Sequence, residues 1–272
     1  METMTLSVRT EVGVLKADRE ANIPPRSLNN REDTPAVLLV GGMGTRLQSV
    51  LPRIPKPLAR LGNMPFLQLL VLQLRSQGIR HLLMCTGYLG EQIEHEFGDG
   101  HRWDVNISYS LEPSPLGTAG ALKFAERHLS HGIDFLVMNG DSFVELDFRQ
   151  FIHFHQEHGG LISMAVRRVP NAARYGTVRF DTMNRIIGFT EKTGTAASGA
   201  VNAGVYVFSP MVLEHIPNSQ ASLEKDIFPR LLEHGIYAAE QDGMFIDIGT
   251  PEDYARCQKL CRSLQNAAHV PQ

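Results

Sequence analysis

The sequence is poor in cysteine, and this excludes a disulfide-rich class of protein. Its three cysteines, Cys85, Cys257 and Cys261, are too few and too unevenly placed for a disulfide framework, which favours a reducing compartment. Cys257 and Cys261 stand four positions apart without a nearby histidine or a second cysteine pair. We interpret them as small residues on a helix face, because a zinc site would need more ligands.

The chain also lacks a net positive charge and a long apolar run. It has 26 Lys and Arg against 29 Asp and Glu, a formal net charge of −3, so no protein-wide basic field indicates nucleic acid or an anionic membrane as partner. No stretch approaches the ~18 apolar residues of a membrane span, and no basic segment followed by an apolar core opens the sequence. We expect a cytoplasmic protein, as a monomer or a homo-oligomer.

From residue 34 onward, apolar runs alternate with helical patterns. We predict strands at 36–40, 81–86, 106–111 and 134–138, and helices at 65–77, 90–97 and 118–129. Further along we predict a helix at 148–158, strands at 161–167, 176–180, 185–189 and 201–208, and helices at 222–232 and 251–264. The alternation predicts an α/β protein with helices on both faces of its sheet. Because the later strands follow one another closely, we expect a mixed, mostly parallel sheet.

The same patterns predict a single domain. Residues 1–33 mix charges, Asn and a Pro-Pro pair without lasting periodicity, and we interpret them as an N-terminal extension, flexible or docked. The domain then covers 34–265, and 266–272 form a C-terminal tail. The hydrophobic content of 43% is enough for a substantial core.

A glycine-rich segment, GGMGTRL, follows the first predicted strand at residues 41–47. Loops at the carboxyl ends of strands form the ligand crevice of an open α/β sheet, so this loop is well placed to bind a ligand. A dinucleotide fingerprint would end in glycine where Leu47 stands, and would need an acidic residue about 20 positions on. The Gly-Lys-Ser/Thr of a P-loop is absent too.

The region around this loop is free of acidic residues. Between 34 and 90 there is no Asp or Glu, where the chain average of 29 in 272 would give about six, while six Lys and Arg occur. Arg46 ends the glycine loop, and Lys56 is held between Pro55 and Pro57, which restrict the backbone. This local positive charge favours a phosphate-bearing ligand over a tight turn with solvated cations.

Two aspartates are candidates for a divalent cation beside such a ligand. Asp141 ends the segment FLVMNGD, and Asp247 lies between Ile246 and Ile248, where an ionised group is costly unless it is paired or bound to metal. Seen alone, each is better explained as a turn or helix cap. Together with a phosphate loop, they indicate Mg²⁺, which commonly binds one or two carboxylates and substrate phosphates.

Five segments, GGMGTRL…PKP, NGDSF, EK, NAG and DIGTP, resemble in this order the sugar-1-phosphate nucleotidylyltransferases, over about residues 36 to 262. Within that family, SPLGTAGAL at 114–122 and the compact length are most similar to the D-glycero-α-D-manno-heptose 1-phosphate guanylyltransferases. Mannose-1-phosphate guanylyltransferases share PLGTAG. The resemblance implies a Rossmann-like sheet of the nucleotide-diphospho-sugar transferase type. It also implies attack of a sugar 1-phosphate on the α-phosphorus of a nucleoside triphosphate, with release of pyrophosphate.

Site residues follow from the resemblance and from position. Those predicted to bind the nucleotide are Gly41, Gly42, Met43, Gly44, Thr45, Arg46, Lys56, Glu112, Gly117 and Thr118. Those predicted for the sugar phosphate are Tyr175, Gly176, Glu191, Lys192 and Asn202. Asp141 and Asp247 would hold Mg²⁺, and with Arg46 and Lys56 they form the predicted catalytic set. Without the resemblance, Glu191 and Lys192 would be interpreted as an ordinary surface pair.

Several alternatives stay open at this point. Glu112 could accept both donors on the pairing edge of guanine, or be a solvent-facing residue at the end of its strand. GTP therefore depends on the family likeness, and a uridylyl- or cytidylyltransferase is an alternative. A non-catalytic nucleotide-sugar-binding subunit is a different class, disfavoured by the joint presence of the four catalytic residues. A glycosyltransferase would be expected to show D-x-D, where the chain has Asp141-Ser142-Phe143.

Overall fold

A computed structural model describes residues 34–129, 132–173, 175–190 and 197–269. The predicted extension, 1–33, and the end of the predicted tail, 270–272, lie outside these ranges, so the domain boundaries stay predictions. None of the helices in the described ranges combines the length and apolar character needed to span a bilayer.

The described residues form strands and α-helices in alternation along the first half of the chain. The strands are β1 (Ala36–Leu39), β2 (Arg60–Leu61), β3 (Met64–Pro65), β4 (His81–Thr86), β5 (Asn106–Leu111), β6 (Phe135–Asn139), β7 (Ser142–Val144), β8 (Ile162–Val169), β9 (Thr177–Phe180), β10 (Ile186–Thr190), β11 (Gly199–Phe208), β12 (Ile236–Gln241) and β13 (Phe245–Asp247). The α-helices are α1 (Phe66–Ser76), α2 (Gly90–Phe97), α3 (Gly117–Ala125), α4 (Phe148–His158), α5 (Pro251–Lys259) and α6 (Cys261–Ala267).

Nine strands form a central mixed sheet whose main path runs β10-β9-β11-β6-β1-β4-β5. β1 pairs in parallel with β4 and β6, and β4 pairs in parallel with β5. β11 is antiparallel to β6, to β9 and to β8, and β12 is parallel to β8. The predicted antiparallel pairs after residue 160 are therefore present.

The order of the strands fixes where a ligand can bind. From β1 the chain moves outward to β4 and β5, and it then returns to β6 on the other side of β1. Such a reversal leaves a crevice beyond the carboxyl ends of the two central strands. The glycine loop follows β1 and Asp141 follows β6, so the topology brings both to this crevice.

Both faces of the sheet are buried. Successive residues of β1 alternate between two apolar clusters, with Leu38 in one and Val37 in the other. α1 packs in the first cluster through Leu67, and α3 packs in the second through Leu122. A strand buried on both sides supports the loops at its end rigidly, and that matters for the site described next.

Most predicted elements match the structure, and four have identical bounds: 81–86, 90–97, 106–111 and 148–158. The helix predicted over 222–232 is wrong as a regular α-helix, because this stretch forms a π-type turn (Leu223–Ile227) followed by a 3₁₀ segment (Phe228–His234). Pro229 has no N–H to donate to an α-helical ladder. The helix predicted over 251–264 is divided at Leu260 into α5 and α6.

We predict that Gly140→Ala destabilises the fold. A Cβ atom at Gly140 would lie 2.4 Å from Cγ1 of Val40 and 2.9 Å from the carbonyl oxygen of Leu39, so the ends of β6 and β1 would have to separate. Overpacking of this kind costs about 1–3 kcal/mol in the free energy of unfolding, which urea titration measures. Gly42→Ala is the matched control, since no heavy atom lies within 4 Å of a Cβ there. Equal stability of the two variants would contradict the prediction.

Candidate active site at the carboxyl edge of the sheet

A cavity of about 230 Å³ opens where β1 and β6 end. It is lined by Leu39, Val40, Gly42, Gly44, Thr45, Arg46, Lys56, Pro57, Gly140, Asp141 and Gly249. Residues from three distant parts of the sequence therefore meet in one space. Arg46, Lys56 and Asp141, all predicted for catalysis, are among them.

The glycine loop lies close to its neighbours at two points. Gly44 has a φ of +58°, a left-handed conformation that favours glycine, and a Cβ there would be 3.1 Å from Cβ of Lys56. A Cβ at Gly41 would lie 2.6 Å from Oε1 of Glu112 and 3.0 Å from the backbone nitrogen of Gly87. The absent side chains thus let the loop pack against both the lysine and the end of β4.

Lys56 begins a short 3₁₀ segment, Lys56–Leu58, directly after Pro55. Its ammonium donates to Oδ2 of Asp141 in an ion pair. The lysine side chain is only 11% exposed and the aspartate 36%, so the lysine is enclosed while the carboxylate faces the cavity. The hydroxyl of Ser142 donates to the other oxygen of Asp141 over 3.1 Å.

Asp247 is brought beside Asp141 by a two-stranded sheet. β13 pairs with β7 in antiparallel register, so that Asp247 is opposite Ser142, and the N–H of Ile248 donates to the carbonyl of Asp141 over 2.9 Å. Oδ1 of Asp247 accepts from the backbone N–H of Gly249 at 2.8 Å. The two aspartates thus come from neighbouring strand ends, as a shared cation site requires.

Tyr175 contacts Asp247, and its predicted role toward the sugar phosphate stays a prediction. Its hydroxyl donates to Oδ2 of Asp247 over 2.7 Å, and its ring packs against Phe245 with centroids 6.1 Å apart. The sequence reasoning placed Tyr175 near the sugar by position alone and missed this bond. Phe245 precedes Asp247 by two residues and so lies on the same face of β13, which is why the Tyr175 side chain contacts both residues.

Glu112 connects the glycine loop to the start of α3. Oε2 of Glu112 accepts from the N–H of Leu116 at 2.9 Å, while Oε1 lies against Gly41. Burial raises the pKa of this carboxyl, and the bond from Leu116 opposes the rise in pKa. The solvent-facing alternative for Glu112 does not describe this half-buried, bonded group.

Gly117 and Thr118 pack against the segment around residue 221. Gly117 has a φ of +73°, and a Cβ there would be 2.5 Å from the carbonyl oxygen of Ala221. The Thr118 hydroxyl accepts from the N–H of Leu223 at 2.8 Å and donates to Glu224 over 3.0 Å. Their predicted role toward a nucleotide stays a prediction, and the structure adds a packing role.

The remaining residues predicted for the sugar phosphate differ in what can be said of them. The Asn202 side chain donates to the Tyr206 hydroxyl at 2.8 Å and accepts from the Gly204 N–H at 2.9 Å, at an irregularity in β11. Gly176 precedes β9 and faces the carbonyl of Thr190. Glu191 and Lys192 lie outside the described residues, so their assignment stays a prediction.

Comparison with known proteins then identifies the family. A family model described as nucleotidyl transferase matches residues 35–263. The chain belongs to the nucleotidyl transferase family. This confirms the resemblance inferred from the ordered segments.

Relatives of this family member include two curated enzymes. The chain is 38% identical over 235 residues to mannose-1-phosphate guanylyltransferase catalytic subunit beta of Danio rerio, covering 85% of this chain and 65% of that protein. It is 37% identical over 226 residues to D-glycero-alpha-D-manno-heptose 1-phosphate guanylyltransferase of Aneurinibacillus thermoaerophilus, covering 82% of this chain and 96% of that protein. The chain thus spans just under two thirds of the length of the first relative.

Solved structures confirm the fold class. HddC from Yersinia pseudotuberculosis, crystallised in complex with GMP-PN, superposes with a TM-score of 0.75 at 31% identity, covering 83% of this chain and 98% of that one. A putative glucose-1-phosphate thymidylyltransferase from Bacillus anthracis gives a TM-score of 0.76 at 23% identity, over 84% of this chain and 95% of that one. At 23% identity, the second similarity supports only the fold.

We predict that Glu112→Gln removes a pH-dependent loss of stability. The pKa of the Glu112 carboxyl is raised from its ordinary value of 4.5. The stability that this group contributes to the fold is therefore fully present below about pH 4.5 and is lost as the pH rises through the raised pKa. The glutamine keeps an oxygen for Leu116. Glu112→Gln should therefore gain stability relative to the wild type as the pH rises. The free energy of unfolding of the variant minus that of the wild type, measured in urea, should be larger at pH 7 than at pH 4.

The matched control for this prediction is Glu91→Gln, which removes an exposed carboxylate from the first turn of α2. If Glu112→Gln and Glu91→Gln changed stability in parallel with pH, the pH dependence assigned to Glu112 would be wrong.

Proposed function

We propose that the chain transfers a nucleoside monophosphate from a nucleoside triphosphate, GTP by preference, to a sugar 1-phosphate. D-glycero-α-D-manno-heptose 1-phosphate is the preferred acceptor, and pyrophosphate is released. One observation carries the proposal: Arg46, Lys56 and Asp141 line a single cavity at the reversal point of the sheet, with Asp247 on the adjacent strand. The relative that is matched over 96% of its length, named for this heptose reaction, and the HddC complex with GMP-PN support the choice of substrates.

The reaction requires the protein to align the substrates and to offset charge on their phosphate oxygens. A phosphate oxygen of the sugar 1-phosphate attacks the α-phosphorus, and the bond from this phosphorus to the oxygen that bridges to the β-phosphate breaks, so pyrophosphate leaves. Such transfers need little covalent help, and rate comes from alignment and from offsetting charge on phosphate oxygens. Arg46 is exposed and Lys56 is largely enclosed, and both line the cavity, so both cations can contact the triphosphate.

The donor set fits a divalent cation such as Mg²⁺. Asp141 and Asp247 supply two carboxylates at neighbouring strand ends, and within the described ranges no group of three or more His, Cys, Asp or Glu forms a metal cage. Mg²⁺ commonly binds one or two carboxylates and completes its shell with water and substrate phosphates. Asp141 and Asp247 would hold the ion, which when bound would offset charge on the phosphate oxygens.

Mannose 1-phosphate is the second candidate acceptor. Relatives from Danio rerio and Xenopus laevis named mannose-1-phosphate guanylyltransferases are 38% and 36% identical to this chain, close to the 37% of the heptose relative. Identity alone therefore does not separate the two sugars. The heptose is preferred because that relative is matched over 96% of its length and the mannose relatives over 65% and 66%.

Pyrophosphate release tests the proposal directly. The protein is incubated with each nucleoside triphosphate in turn and with the 1-phosphates of the heptose, mannose and glucose. We expect fastest release with GTP and the heptose. Faster release with mannose 1-phosphate would establish the second candidate, and release with no pair would leave a nucleotide-sugar-binding protein.

We predict that Asp141→Asn and Asp247→Asn each lower turnover by about 100-fold or more, the loss typical of removing one charge-stabilising group. Each change removes a carboxylate and preserves side-chain volume. The matched control is Asp242→Asn. Asp242 precedes Asp247 in the sequence, and its fully exposed carboxylate lies beside Arg167. Circular dichroism checks folding. Turnover equal to the wild type at limiting Mg²⁺ in either cavity variant would refute its assignment as a ligand.

A further inference from the structure

Every oxygen of the two candidate metal carboxylates already accepts a hydrogen bond. Asp141 accepts from the Ser142 hydroxyl and from the Lys56 ammonium, and Asp247 accepts from the Gly249 N–H and the Tyr175 hydroxyl. Of these four donors, only the Lys56 ammonium carries a charge. A cation that approached Asp141 would therefore meet a competing positive group at the carboxylate itself.

The stem of Lys56 is held, and its largely enclosed ammonium lies beside Asp141 in the lining of the cavity. The residue lies between Pro55 and Pro57, which restrict its backbone, and Gly44 packs against its Cβ. The same side chain lines the cavity that Arg46 and the glycine loop share. Its ammonium can thus exchange Asp141 for another anion in that cavity without movement of the backbone.

We propose that Lys56 acts as a placeholder cation: without nucleotide it occupies Asp141 and weakens the binding of a free divalent ion. When a triphosphate enters the cavity, its oxygens attract the ammonium, and Asp141 becomes available. The inference depends on the proposed function in one respect, that Asp141 is a metal ligand. It goes further, because it couples the ion and the nucleotide through one side chain.

The coupling follows from charge. Lysine to carboxylate and lysine to phosphate are both charge-assisted hydrogen bonds, so the exchange replaces one strong contact with another. A divalent ion that reaches Asp141 first must instead break the ion pair and remain near the displaced ammonium. Since linkage is reciprocal, bound nucleotide strengthens ion binding to the same degree as the bound ion strengthens nucleotide binding.

The test measures Mn²⁺ binding in the absence of nucleotide, from the electron paramagnetic resonance signal of free Mn²⁺. Lys56→Met should bind Mn²⁺ about tenfold more tightly than the wild type, because a charged hydrogen bond to the ligand no longer competes. Arg60→Met is the matched control. It removes one exposed cation from the same acid-free region, and Arg60 bonds the carbonyl of Asn63. It should leave Mn²⁺ affinity at the wild-type value.

A second variant localises the ion. Adding Asp141→Asn to Lys56→Met should abolish the gain in affinity. Wild-type affinity in Lys56→Met, a gain that survives Asp141→Asn, or equal gains in Lys56→Met and Arg60→Met would each overturn the proposal. So would the absence of Mn²⁺ binding up to millimolar concentration in every variant. Lys56→Gln replaces Lys56→Met if the latter does not fold, as judged by circular dichroism.

These outcomes are separable from failure of the proposed function. If no substrate pair releases pyrophosphate and Lys56→Met still gains affinity that depends on Asp141, the placeholder stands and the transferase assignment falls. If transfer occurs and Lys56→Met binds Mn²⁺ like the wild type, the transferase assignment stands and the placeholder falls.

Discussion

The pairing of β7 with β13 is the constraint on which the site depends. It joins two segments of three residues each, and the bond from the Ile248 N–H to the Asp141 carbonyl fixes their register. A slip of one residue would turn Asp247 to the opposite face, because side chains alternate along a strand. This short antiparallel pair therefore holds the backbones of Asp141 and Asp247 side by side.

Local charge decides what the cavity can bind in a chain with no net positive charge. The acid-free region supplies Arg46 and Lys56 to the cavity, the end of β6 is followed by Asp141, and Asp247 lies at the end of the neighbouring β13. Opposite charges enclosed together attract more strongly than in water, because the surrounding protein has a lower effective dielectric constant. The site is thus suited to a ligand that carries both signs, a polyphosphate with a divalent cation.

The sequence predicted the strands and helices that have a regular hydrophobic period. Strands such as 81–86 and helices such as 148–158 were predicted with their bounds, because periodicity accumulates over six or more residues. β2, β3, β7 and β13 were missed, since two or three residues are too few for a pattern, and the six-residue β12 was missed as well. The placing of the glycine loop and Asp141 in one crevice followed from the rule for open sheets, whereas Lys56 was predicted from the local charge and the family resemblance. The partners of Thr118 and Tyr175 could not be predicted, because contacts with distant segments leave no local signal.

The cation and anion sides of the cavity are also connected through the backbone. Thr250 caps α5 directly after Asp247 and Gly249, and its hydroxyl accepts from the Asp253 N–H at 3.2 Å. Tyr254, on α5, donates to the carbonyl of Arg60 over 2.7 Å, just beyond the segment that carries Lys56. One helix therefore contacts both the segment that carries Lys56 and the segment that carries Asp247. An exchange of partners by the lysine can therefore occur by rotation of its side chain alone.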